Sequence, residues 1–570
     1  MALPSKTGNI SRPPASGPLR CAPGLTLLLL IAPVVAGLLG TLTPALANGG
    51  RGILALLDWS GLPAALWLSV STGLAATVMS LGLTLLLVAS LYGTRAFGVI
   101  QHLLAPLLSV PHAAAALGLA FLIAPSGWVA RLLSPWATGW QVPPDLLILN
   151  DPAGIALILG LIAKEVPFLM LMALAALPQT DANRRVLVAQ SLGCGRTMGF
   201  VLTVLPALYR QMRLPVYAVL AYAMTSVEMA MILGPTLPHT LSAQVVIWMA
   251  DPTLMQQSTA AAGAILQLAA VLFALALWRL AEGGARRAIT ALALRGTRGA
   301  GLTDPVARAL AFALGGVVAL SLILGLAGLA MWSVAGLWQF PDALPSAISL
   351  TTWIRAAPDM MQTASETLQI AALSTLIAVG LVLACLEAEH RFALSPGARA
   401  LWVLYLPLVM PQVAFLPGLH LLALRTGVDG NWIAVAAVHL VFVLPYVFLS
   451  LAPSYRAWDT RVAVAGAALG ASPARVFWRL RLPMVLRPVL TAAAVGLAVS
   501  IGQYLPTLLI GGGRVETLTT EAVALSSGGN RRLIGAYALL QMILPALAFA
   551  AALLIPAIVF RNRRGLRTGA

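Results

Sequence analysis

The chain has 570 residues, of which 60% are apolar and 9% charged, and its mean hydropathy is +0.92; this excludes an ordinary soluble globular protein and indicates a polytopic membrane protein. The formal charge of +17 would suggest nucleic acid in a soluble chain, but the arginines lie in short gaps between apolar runs, a topology signal that argues against nucleic-acid binding. The three cysteines, Cys21, Cys194 and Cys385, are far apart, which implies neither a disulfide framework nor a zinc site.

In chain order, the polar stretch Met1 to Arg20 precedes an apolar run from Pro23 to Ala47. That run is too long for a cleaved signal segment, so it reads as a retained first span. Windows able to cross a bilayer, about 20 residues each, fall near 23–46, 64–92, 98–125, 153–177, 213–235 and 259–281, then near 308–333, 363–388, 401–423, 432–452, 487–512 and 535–560. The third is interrupted by Pro106, Pro111 and Pro125. The expected fold is all-α and polytopic, with about twelve transmembrane helices in two groups of six.

With a cytoplasmic N-terminus, 27 of the 35 basic residues fall on the inner side and seven on the outer, while Lys164 lies within a span. This bias predicts that both termini are cytoplasmic, with Arg531 and Arg532 as a local violation. Six spans per group give the two halves parallel orientation about an axis along the membrane normal. The expected organisation is a cytoplasmic tail at 1–22, a six-span unit at 23–281 with a polar loop at about 178–212, and a linker at 282–307. A second unit follows at 308–560 with a loop at about 453–486, then a tail at 561–570.

The two loops repeat one pattern, "AQSLGCGRTMGFVLTVLP" from Ala189 and "GAALGASPARVFWRLRLP" from Gly466. At an offset of 277 residues, Leu192, Gly193, Phe200, Leu205, Pro206 and Arg210 face Leu469, Gly470, Phe477, Leu482, Pro483 and Arg487. In the second copy Gly470 can end one short helix in a left-handed cap, Ser472 can N-cap the next and Pro473 fits its first turn. Pro483 is expected to stop that second helix, with Phe477 and Leu480 on one face. The first copy has Cys194, Gly195 and Arg196 in place of the cap, so its second helix is expected to start less firmly.

The pattern Leu-Gly, Phe, Leu-Pro, placed after the fourth of six spans, resembles the EAA loop of binding-protein-dependent ABC importer permeases. The whole layout is similar to the fused permeases of the ferric-iron and thiamine import type, and the stretch Gln503 to Arg532 looks most like the YnjC-like branch. The eponymous glutamate of that loop would align with Leu187 and Val464. The resemblance implies a type I importer, MetI-like permease fold in the bacterial inner membrane, two copies of a separate cytoplasmic ABC ATPase on the two loops, and a periplasmic binding protein that delivers a small solute. ATP would be bound by the partner, with no cofactor in this chain. On the helix-cap argument, the Gly470 loop is expected to contribute more to ATPase docking.

A P-loop needs Gly-Lys-[Ser/Thr], and neither Lys6 after Ser5 nor Lys164 after Ala163 qualifies. No nucleophile–base, carboxylate-pair or metal-ligand constellation emerges, and the six histidines are scattered, so no catalytic residue is assigned. Within the spans, Lys164 and Glu165 stand mid-helix, where each costs roughly 2.5–3.5 kcal/mol on insertion scales. Adjacent helical residues face different ways, so at least one needs a partner on another span. They either lock helices together or line a solute pathway. Their counterparts in the second half, Phe442 and Val443, are apolar. Glu228 lies about 15 residues, roughly 22 Å, up the fifth span, and Gln503, followed by Tyr504, takes the comparable place in the eleventh. These groups either line a central path or tie helices together by hydrogen bonds. The alternative to the permease is a stand-alone transporter with two parallel six-span halves, coupled to protons or sodium through Lys164, Glu165 and Glu228. A membrane enzyme would need a polar cluster at one membrane face, and none is legible.

Overall fold

The computed structural model describes residues 18–101, 110–299, 303–394 and 397–561. Most of both expected tails, His102 and Pro106 lie outside the described residues. Secondary structure among the described residues is helical except for one isolated bridge between Ala335 and Ile348.

Nine helices among the described residues are long and apolar enough to cross a membrane alone, and four bent helix pairs meet the same condition. One pair, Ala182–Ser191 with Arg196–Thr203, folds back at 119° and is the first polar loop itself. The other three are Leu205–Thr225 with Val227–Leu233, Trp402–Val409 with Gln412–Thr426, and Pro473–Met484 with Leu486–Ile501. They fall on the fifth, ninth and eleventh windows, so each of the twelve windows holds a membrane-length element.

Several helices outrun their windows. Leu254–Leu294 is 41 residues long and Thr351–Phe392 is 42. The first continues through the first half of the segment expected to be a linker. That segment has no proline before Pro305 and is rich in Ala, Leu and Arg, so helical hydrogen bonding propagates beyond the apolar run. Between the halves, only Arg295 to Gly299 is described as non-helical before Thr303 opens the next helix.

The packing repeats. The first span, Ala22–Asp58, lies against the sixth, Leu254–Leu294, and also against Gln412–Thr426 of the ninth. The seventh, Thr303–Ser333, lies against the twelfth, Arg531–Val559, and against His112–Ile123 of the third. Each half thus lends its first span to the other half's third. Backbones touch at both crossings. A Cβ on Gly40 would lie 2.7 Å from the Gly418 carbonyl oxygen, and one on Gly325 would lie 2.8 Å from the Gly118 carbonyl carbon.

Breaks fall at matched places. The third and ninth spans restart at His112 and Gln412, each after a proline in extended conformation, Pro111 and Pro411. A proline has no N–H to donate and disfavours helix in the residue before it, which accounts for both restarts. The fifth span bends by 49° at Ser226, and the eleventh is interrupted between Ile501 and Leu505. The largest apolar cluster surrounds these breaks and draws on both halves, from Val110 and Leu161 to Phe442 and Leu505. Two smaller clusters sit beneath the polar loops, each drawn mainly from one half.

Candidate functional site

Both loops make the bend that the glycines permit. Gly193 has φ +82° and Gly470 φ +78°, a left-handed conformation that only glycine adopts at no steric cost. Each follows a short helix, Ala182–Ser191 and Arg461–Ala468. The residue before each glycine crowns the bend with its side chain in solvent: Leu192 is 69% exposed and Leu469 89%. Leu187 and Val464, the positions aligned with the family glutamate, are exposed as well.

Beyond the bends the copies differ. Helix Arg196–Thr203 has Gly195 at its N-cap, which offers no side chain. The expected loose start is not found. Asp304, from the far side of the linker, accepts from the Arg196 backbone N–H at 2.7 Å and the Thr197 N–H at 2.9 Å. The carboxylate thus takes up two of the four donors that a helix start leaves unsatisfied. In the second copy Ser472 accepts from the Arg475 N–H at 3.3 Å, with Pro473 in the first turn.

Pro483 does not stop the second helix. The chain widens into a π-helical turn over Phe477–Arg481, continues through Leu482–Met484 and turns only at Val485. The widened turn comes just before the proline, whose ring would clash with a regular preceding turn and whose missing N–H would leave a gap in the ladder. Pro206 instead opens the following helix, Leu205–Thr225, where a missing N–H costs nothing. Phe200 is buried beneath the first loop with Val204, among Leu87, Leu91, Phe97 and Leu177. Phe477, Leu480, Leu482 and Pro483 are half-buried, as is Leu205.

The second loop is seated by charge. Arg481 is 1% exposed and pairs with Glu387 of the eighth span, its guanidinium 4.3 Å from the centre of the Trp458 ring. The Tyr455 hydroxyl donates to the same carboxylate, and Arg391 reaches its other oxygen at 2.6 Å. None of these residues stood out from sequence, where Arg481 counted only toward topology. In the first loop Val204 stands 277 residues before Arg481.

In the interior, Lys164 Nζ donates to the Val110 carbonyl at 2.5 Å, beside the break before Pro111. Glu165 Oε1 lies 4.0 Å from His112 Nε2. The His112 ring packs on Tyr222 with centroids 4.8 Å apart, and the Tyr222 hydroxyl donates to Glu228 at 2.7 Å while accepting from Ser226 at 3.2 Å. Lys164 and Glu165 therefore both turn to the start of the third span's second segment, and Glu228 stands just past the fifth-span bend. Gln503 and Tyr504 occupy the eleventh-span break, Gln503 half-buried and Tyr504 buried in the central cluster. Nearby, the second half carries a hydrogen-bond network without carboxylates: His439 sits between Ser500 at 2.8 Å and Thr507 at 3.0 Å. His112, Tyr222 and His439 were not singled out from sequence: the two histidines meet Glu165, Tyr222 and Thr507 from other elements, and Tyr222 meets Glu228 and Ser226 only because the fifth span bends between them.

At the opposite face, the arginines that broke the charge rule are held in place. Arg531 donates to the Ser126 carbonyl at 3.1 Å and lies over the Trp332 ring; Arg532 donates to the Gly336 carbonyl. Arg131 reaches the carbonyls of Ser126, Gln339 and Asp342. Arg531 and Arg131 fasten the two halves to each other, while Arg532 holds the loop of its own half, and a count of loop charges registers neither.

Residues 380–564, which include the second loop and the last four spans, match the family model described as "Binding-protein-dependent transport system inner membrane component". Almost the whole chain is similar to the inner membrane ABC transporter permease protein YnjC of Escherichia coli (strain K12), at 32% identity over 560 residues, 96% of this chain and 99% of that protein. The chain belongs to the ABC transporter permeases. Shorter stretches of this permease resemble the molybdenum transport system permease protein ModB of Mycobacterium tuberculosis (strain ATCC 25618 / H37Rv), 32% identical over 25% of this chain and 59% of that protein. The putrescine transport system permease protein PotI of Escherichia coli (strain K12) is 27% identical over 31% of this chain and 60% of its own. The permease is a multi-pass inner-membrane subunit of an ABC importer of the binding-protein-dependent kind, and the stand-alone secondary transporter is set aside. The residues that would carry a coupling ion in that alternative, Lys164, Glu165 and Glu228, are engaged with Val110, His112 and Tyr222.

Proposed function

We propose that the two bent helix pairs are the docking handles for two copies of a cytoplasmic ABC ATPase, with both termini and the linker on the same cytoplasmic side. The matched bends carry this reading: Leu192 and Leu469 stand exposed at the same step of two loops, each ahead of a glycine with φ near +80°. ATP binding and hydrolysis belong to the partner, and this chain contributes no cofactor site and no catalytic residue. The binding protein delivers the solute to the opposite face, where Arg131 and Arg531 tie the halves together. At Leu187 and Val464 an exposed apolar contact takes the place of the ion pair that a glutamate would make with the ATPase. The central breaks, with Lys164, Glu165, Glu228, Gln503 and Tyr504 beside them, line the solute path, which opens as the halves rock about their exchanged first spans.

The structure removes the reason for ranking the Gly470 loop above the Gly193 loop, because both second helices are capped. Recovery of the ATPase from detergent extracts tests the reading. Wild type is expected to retain it, while Gly193→Pro and Gly470→Pro, each incompatible with a positive φ, are expected to lose it to similar extents. A wild-type chain that retains no ATPase overturns the reading.

A further inference from the structure

We propose that the segment joining the two halves is a third part of the coupling apparatus, with Asp304 as the residue that positions the first loop and ties it to the seventh span. The proposal rests on the docking role of the loops and goes beyond it. Helix Arg196–Thr203 cannot cap itself, since its N-cap is Gly195. Its cap is a carboxylate 108 residues away, and a negative charge there also suits the positive end of the helix.

The linker backbone reinforces the contact. The Gly195 N–H donates to the Arg298 carbonyl at 2.7 Å. A Cβ on Gly195 would overlap the Gly299 carbonyl, and one on Gly299 would lie 2.8 Å from Met198 Cβ. Bend and linker thus fit closely against each other, with no room for a side chain at Gly195 or Gly299. Asp304 stands in the first turn of Thr303–Ser333, the helix that crosses to pack on the third and twelfth spans. A push on the first loop therefore reaches the first span of the other half directly. The second loop, with its own serine cap, makes no such demand on the linker.

The test uses the full chain in detergent and two readings: amide hydrogen exchange over 193–203, and retention of the ATPase. Asp304→Ala is expected to speed exchange at Arg196 and Thr197 by about fivefold, the effect of losing one helix cap, and to lower ATPase retention. Asp304→Asn keeps an acceptor and is expected to restore both readings, while Ser472→Ala leaves residues 193–203 unchanged. If Asp304→Ala exchanges like wild type, the cap is overturned. If it exchanges faster yet retains the ATPase as wild type does, its part in coupling is overturned while the docking reading stands. Wild type with no ATPase overturns the docking reading itself, and with it the coupling role.

Discussion

Two loops built on one pattern bend at the same glycine and are then fastened by different means. The first starts its second helix on a carboxylate from across the linker and seats it through Phe200 and Val204 in an apolar cluster. The second starts on its own Ser472 and is seated through Arg481, buried against Glu387, Tyr455 and Trp458. An apolar seat loses contacts gradually when disturbed, whereas a buried ion pair costs several kcal/mol if either partner is left alone. The repeat therefore conserves the bend and the exposed leucine, the parts that a repeated partner would meet, and leaves the hidden fastening free to differ.

The comparison breaks most visibly at the ion pair. Arg481→Ala leaves Glu387 buried with Arg391 as its remaining cation, and should cost about 3–5 kcal/mol, read as a fall in the thermal unfolding midpoint and faster exchange over 473–484. Replacing both partners, Arg481→Met with Glu387→Leu, is expected to recover much of that loss, because no buried charge remains unpaired. A double variant no better than Arg481→Ala would mean that stacking on Trp458, rather than charge, seats the loop.

Next in size is the apolar seat. Phe200→Ala removes a ring from the cluster with Leu87, Leu91 and Leu177 and should cost about 3 kcal/mol. Faster exchange is expected over 196–203 and none over 473–484. If both loops loosen, they are coupled through the bundle and the two seats are not independent. A smaller effect, about 1 kcal/mol or less, is expected for Ser472→Ala, confined to the second loop, since its bond to the Arg475 N–H is long at 3.3 Å.

What could be read from sequence follows from the range of the physics involved. Apolar windows, the 277-residue repeat and the Gly470 bend are local signals: each window overlaps a membrane-length element, and Gly470 takes the left-handed conformation expected of it, matched by Gly193. The cap from Asp304 is invisible to a local pattern, because acceptor and donors lie 108 residues apart. Arg481 read as one more inner-side arginine, since charge counting carries no information on burial. The helix through Glu282–Leu294 escaped because hydropathy detects what a bilayer accepts, not what a backbone can hydrogen-bond. Lys164 and Glu165 were recognised as needing partners, but the Val110 carbonyl became one only because the chain breaks at Pro111.

The smallest effect separates the two caps by their chemistry. Asp304 titrates and Ser472 does not. Burial alone would raise the Asp304 carboxyl, but the backbone N–H groups of Thr197 and Arg196 and the neighbouring Arg308 outweigh it and hold the group below the usual aspartate range. A carboxyl lowered in the folded state adds stability that is fully present above its unfolded value of about 3.9 and is lost as pH falls through the lower folded value. Protection of the Arg196 and Thr197 amides, corrected for the intrinsic pH dependence of exchange, should therefore stay level from neutral pH down to about pH 4 and decline only below it. Protection at Arg475 should show no such step. In Asp304→Asn the step should vanish from the first loop while the protection itself remains. A step that persisted in that variant would place the titrating group elsewhere and separate the linker carboxylate from the start of helix Arg196–Thr203.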